Sequence, residues 1–159
     1  MRTLVVGVGN PIRGDDGIGP IVAERVARAI APPSEFLPFS GSGLDLVCEW
    51  GGYERVVVID SISTGGVGEG ECVRIDLEEP ALGGLAEGSS HASGILASIA
   101  IARRLDVALP GELVCYGIGV KKTGEFREGP GRPLLDEVER IVECITEDLT
   151  SGNQGERRW

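Results

Sequence analysis

Apolar residues in this chain fall into short continuous runs that alternate with segments where they recur every three or four positions. Leu4, Val5 and Val6 with Val8 make a β-branched run that breaks into Gly7, Gly9, Asn10, Pro11 and Gly14, so a buried strand over 4–8 runs into a built turn. Two adjacent acids, Asp15 and Asp16, follow that turn. Ile18, Ile21, Val22, Val26 and Ile30 then keep helical spacing over 17–31, until Pro32-Pro33 stops the pattern. Residues 35–39 read as a weak strand, which Pro38 confines to a sheet edge or a strand end. A short helix over 44–50 carries Leu44, Val47 and Cys48 on one face and ends at Gly51-Gly52.

The clearest strand covers 55–60. Val56, Val57, Val58 and Ile59 leave no wet face, as in a central parallel strand, and the run ends in Asp60. Residues 71–77 alternate well enough for a strand with one wet face. Ser89-Ser90 offers caps for a helix over 91–104, with Ile95, Leu96, Ile99 and Ala102 inward. Residues 112–120 form another strand. Pro133 suits the first turn of a last helix, in which Leu134, Leu135, Val138, Ile141, Val142 and Ile145 share a face up to about residue 149. The order β-α-β-α-β-β-α-β-α predicts a three-layer α/β/α sandwich around a mostly parallel sheet. We expect one domain over 1–150 and a flexible tail over 151–159.

Composition narrows the function. With 42% hydrophobic residues but only 3 Phe, 2 Tyr and 2 Trp, the core must be aliphatic. A net charge of -10 argues against a broad nucleic-acid or anionic-membrane surface and leaves room for a metal or a basic peptide. The four cysteines, Cys48, Cys72, Cys115 and Cys144, contain no C-x-x-C pair, so they read as reduced thiols of a cytoplasmic protein rather than a zinc knuckle. The first apolar run is too short for a signal peptide, and no run is long enough to span a membrane.

The first turn admits three readings. A dinucleotide loop would need its third glycine at position 12, which is Ile, and the acids would repel a polyphosphate at the helix start. Asp15 and Asp16 could simply cap the helix. Alternatively, one acid could join a cluster. Asp16 follows the first strand, Asp60 ends the central one, and His91, the only histidine, opens a helix. In a parallel sheet the first two share the carboxyl edge, and the loop before His91 is long enough to bring it there. Two carboxylates and a neutral imidazole suit a borderline divalent metal such as nickel or zinc, with coordination positions open to an outside donor. The opposing reading is that His91 and Asp60 each cap a local turn.

The stretch from Gly7 to Gly19, GVGNPIRGDDGIG, resembles the N-terminal signature of the nickel–iron hydrogenase maturation proteases: a strand, then G-x-G-N, then D-[DE]-G-x-G. Val58-Ile59-Asp60 resembles the family's second acidic position, and Ser90-His91 before an apolar helix its third. Gly117-Ile118-Gly119 and the helix from Pro133 follow its C-terminal pattern. The family carries an acid shortly before a Gly-Thr-x-Gly loop. Here Pro38-Phe-Ser-Gly-Ser-Gly43 keeps Ser42 and Gly43 with no acid ahead of them.

The resemblance implies a phosphorylase/hydrolase-like α/β/α fold and an endopeptidase. Such an enzyme removes the C-terminal extension of the hydrogenase large-subunit precursor once nickel is inserted. It further implies metal ligation by Asp16, Asp60 and His91. The nickel would be brought by the substrate, and other divalent ions could occupy the site. Asn10, Asp15, Ser42 and Gly43 would belong to substrate-facing loops. With the single histidine assigned, a carboxylate-activated water is the remaining route to hydrolysis, and Asp16 is the candidate. Two rivals stand beside this reading. One is a non-enzymatic nickel carrier or scaffold using the same three residues. The other is a peptidyl-tRNA hydrolase-like enzyme, which shares the strand and G-x-G-N-P but needs a histidine soon after it, where this chain has none.

Overall fold

The computed structural model describes residues 1–63, 66–75, 92–121, 126–152 and 157–159, with 92–94 and 96 described by backbone alone. Among the described residues six strands form one sheet: β1 (Thr3–Val8), β2 (Ser34–Phe39), β3 (Arg55–Ile62), β4 (Cys72–Ile75), β5 (Glu112–Gly119) and β6 (Arg157–Arg158). Their order is β2-β1-β3-β5-β4-β6. The first four in that order run parallel, while β4 is antiparallel to both β5 and β6. The expected central strand is central: Val57 of β3 is in register with Val5 on one side and Val114 on the other. The Pro38 strand takes the edge, where the missing N–H costs no ladder bond.

Alternation along the strands divides the core into two layers. Val5, Val57, Ile59, Val114, Tyr116 and Ile118 pack against α1 (Ile18–Ala29) and the C-terminal helices α4 (Arg132–Asp136) and α5 (Val138–Ser151). Val6, Val56, Val58 and Cys115 pack on the other face with Leu46 of α2 (Gly43–Cys48) and with Ile95 and Ile99 of α3 (Ala92–Arg104). The result is the three-layer α/β/α sandwich, with helices covering both faces of a sheet too apolar to be wet on either.

Three departures from the sequence reading are instructive. β3 runs two residues past Asp60, so Ser61 and Ile62 are strand and not loop. The last helix is interrupted at Glu137, whose N–H reaches Leu134 O, yet Leu134, Val138 and Ile141 still share the buried face. Finally, Arg157–Trp159, expected within a flexible tail, is docked on the sheet. Arg157–Arg158 pair with β4, Trp159 exchanges both backbone bonds with Cys72, and its ring tilts against Tyr116 at 6.3 Å. An aromatic terminus that can reach the core has an apolar reason to dock.

Candidate functional site

The parallel strands β2, β1, β3 and β5 all end at one edge, and the loops that follow them meet there. The turn after β1 is shaped by glycines that have no room for a side chain. A Cβ on Gly9, where φ is +151°, would lie 1.9 Å from Asp16 O; one on Gly19 would lie 2.2 Å from Val8 O and 2.9 Å from Ile59 O. The G-x-G-N and D-D-G-x-G glycines therefore let the helix start sit directly on the strand ends. Asn10 closes the bend: its Oδ1 accepts from Ile12 N–H at 3.1 Å and its carbonyl accepts from Arg13 N–H. A single 3-10 turn, Gly14–Gly17, then leads into α1.

Asp15 and Asp16 lie in that turn, and neither caps it. No side chain caps the turn or α1. The two carboxylates reach elsewhere, in different directions. Asp15 is buried. Its Oδ1 accepts from Gly131 N–H at 2.8 Å and from Arg127 Nη2 at 3.1 Å, so it clasps the β1–α1 turn to the loop before α4. Backbone bonds from Gly14 N–H to Arg127 O and from Arg127 N–H to Ile12 O reinforce the clasp. Expected as a substrate-facing residue, Asp15 is engaged inside the protein.

Asp16 turns toward β3. Its Oδ2 accepts from Asn10 N–H at 2.7 Å and its Oδ1 from the Ser61 hydroxyl at 2.8 Å. Asp60 is buried two residues before the end of the same strand, and its Oδ1 accepts from the Ser61 N–H at 2.8 Å. Two acids 44 positions apart in sequence (60 − 16) thus bond to one residue, Ser61. The sequence reading brought Asp16 and Asp60 to one edge but missed Ser61. A hydroxyl directly after a strand-terminal acid was the available signal.

His91 lies outside the described residues, as does Ser90; α3 begins immediately after it at Ala92. Among the described residues no three His, Cys, Asp or Glu side chains gather as a metal set. Asp16 and Asp60 supply two carboxylates at one edge, a hard oxygen set that fits part of a divalent site and needs a third donor. Ser42 caps α2: its Oγ accepts from Asp45 N–H and donates to Asp45 Oδ2, while Gly43 is the first helical residue. The Gly9 N–H donates to Phe39 O and so ties the end of β2 to the β1 turn.

The buried cysteines are not nucleophiles. Burial pushes the thiols of Cys72 and Cys115 up to about 12, so they stay protonated at neutral pH.

No family model and no curated protein matches the chain in sequence. Solved structures do. The hydrogenase maturating endopeptidase HybD from E. coli superposes with a TM-score of 0.69 at 20% identity, covering 99% of this chain and 96% of its own. The NiFe hydrogenase maturation protease HybD from Thermococcus kodakarensis gives 0.67 at 26% identity, with 94% and 99% covered. The NiFe hydrogenase maturation protease HycI from Thermococcus kodakarensis KOD1 gives 0.61 at 27%, with 94% and 92% covered. The three-layer α/β/α architecture is therefore the fold of these maturation endopeptidases. The chain resembles the NiFe hydrogenase maturation proteases, matching two of them at 26–27% identity over 94% of its length.

Proposed function

We propose that this chain is an endopeptidase that removes the C-terminal extension of a nickel–iron hydrogenase large-subunit precursor after nickel insertion. The supporting observation is end-to-end likeness to the Thermococcus kodakarensis maturation proteases. Asp16 and Asp60, joined through Ser61, stand at the edge where such a fold does its chemistry. The precursor is the protein partner; nucleic acid and membrane play no part. Among the described residues no helix is long and apolar enough to cross a membrane, and we place the reaction in the cytoplasm.

In this reading nickel is cargo of the substrate. Asp16, Asp60 and His91 offer it two oxygens and one nitrogen, a set that leaves room for the precursor's own ligands. Binding would then report that the metal is in place. Asp16 is the candidate to activate the hydrolytic water, its carboxylate held by the Asn10 N–H and the Ser61 hydroxyl. Asn10, Ser42 and Gly43 border the approach. A serine or cysteine route commonly takes a histidine as its base, and the single one, His91, is assigned to the metal.

The test is incubation of the purified protein with nickel-loaded precursor, followed by mass spectrometry of the large subunit. Loss of a C-terminal fragment supports the endopeptidase. A stable complex with uncut precursor would make the chain a nickel carrier or scaffold, and hydrolysis of peptidyl-tRNA would place it with the other rival.

A further inference from the structure

We propose that Ser61 is a positioning residue that holds the two acids of the site in one geometry. This rests on the reading that Asp16 and Asp60 face the substrate's metal. Ser61 is the penultimate residue of β3 and only 6% exposed. It uses both of its donors on the acids. The hydroxyl donates to Asp16 Oδ1 and the backbone N–H to Asp60 Oδ1, each at 2.8 Å. One acid is thereby fixed to the strand by a side chain and the other by the main chain.

The two bonds differ in what sequence can remove. The Asp60 bond survives any substitution at 61 that leaves the strand intact. The Asp16 bond needs a hydroxyl at that place. Without it, Asp16 loses the bond that ties it to β3, whereas the Asn10 N–H belongs to the same turn as Asp16 itself. The carboxylate would still be present, but the Ser61 bond would no longer set its direction relative to Asp60. Partners of metal ligands act in this way, and their loss typically weakens metal binding roughly 10–100-fold. Both of its donors are spent on the acids, which is why we assign it a positioning role.

Ser61→Ala and Ser61→Thr separate the possibilities. Alanine deletes the hydroxyl with little change in volume, and threonine restores it. Nickel chloride is titrated calorimetrically into the native protein and both variants, and nickel-loaded precursor is processed in parallel, with circular dichroism to confirm folding. The expected result is a nickel Kd at least roughly 10-fold higher for Ser61→Ala, a matching loss of processing, and recovery of both in Ser61→Thr. A Ser61→Ala variant that melts earlier yet binds nickel and cuts as the native protein does would overturn the proposal, because Ser61 would then serve only the fold. Native protein that takes up no nickel and leaves the precursor whole would overturn the metal-recognition reading and the proposal with it.

Discussion

The Ser61 hydroxyl donates to Asp16 Oδ1 at 2.8 Å and so joins the turn after β1 to the end of β3. Because Asp16 Oδ2 is also occupied by Asn10 N–H, an amide at position 16 must turn its NH2 toward one of two donors. The serine hydroxyl can rotate to accept, whereas the backbone N–H cannot. Asp16→Asn should therefore fold and lose about 1–2 kcal/mol, read as the shift in a urea unfolding midpoint. An unchanged midpoint would mean that the carboxylate's two contacts contribute nothing net.

The glycines of the first turn make a sharper prediction. Gly9→Ala places a methyl 1.9 Å from Asp16 O in a backbone conformation that L residues rarely adopt, whereas a Cβ at Gly51 meets nothing within 4 Å. Gly9→Ala should cost several kcal/mol or abolish soluble expression, and Gly51→Ala should stay within about 0.5 kcal/mol of the native protein. Comparable melting temperatures for the two variants would contradict the close approach of α1 to the strand ends.

The C-terminal strand is held by a buried charge. Asp148 Oδ2 accepts from Tyr116 Oη at 2.7 Å and from Arg74 Nη1 at 2.8 Å, while Arg157 stands 3.5 Å from Oδ1. Asp148→Ala removes the carboxylate to which the largely buried Arg74 and Tyr116 both donate, and should cost about 3–5 kcal/mol. Arg157→Ala should cost no more than about 1 kcal/mol, since that side chain is 41% exposed and the pairing distance is long. Denaturant titration of both variants checks the ranking, and an equal cost would show that the contact on β6 carries as much as the one on β4.

Alkaline pH should erode stability in a defined window. Cys72 and Cys115 stay protonated in the fold up to about 12, chiefly because burial penalises the thiolate, while an exposed thiol ionises near 9. Between those values the unfolded chain has released protons that the folded chain still holds. Stability is thus complete below about pH 9 and falls as pH rises toward 12, by up to about 1.4 kcal/mol per pH unit for each thiol. A double Cys72→Ala/Cys115→Ala variant should show a shallower slope over that range. An identical slope would assign the alkaline loss to other groups.

Much of this was legible in the sequence because one physical signal was strong. Val56 to Ile59 can only be buried on both faces, which makes β3 central and puts Asp60 at its carboxyl edge. The motif glycines marked the first turn, and Asp16 came with them. What was not legible depended on contacts between distant residues. Asp15 and Asp16 are neighbours with opposite destinations, one toward Gly131 and one toward Ser61, and no local pattern distinguishes them. Ser61 looked like the start of a loop because its polarity hid its place in the strand. Arg157-Arg158-Trp159 looked like a loose polar end, and its register with β4 depends on a partner more than eighty residues away.

On the proposed function, this protein cuts only a precursor that already holds nickel. Nickel-loaded and nickel-free large-subunit precursor should be incubated with the native protein and with the Asp16→Asn and His91→Ala variants, and C-terminal processing followed on a gel. The expected result is cleavage of loaded precursor by the native protein, none of nickel-free precursor, and strong loss in both variants with their folds retained. Equal cleavage of loaded and nickel-free precursor would contradict the metal checkpoint, and full activity in Asp16→Asn would remove that residue from the chemistry.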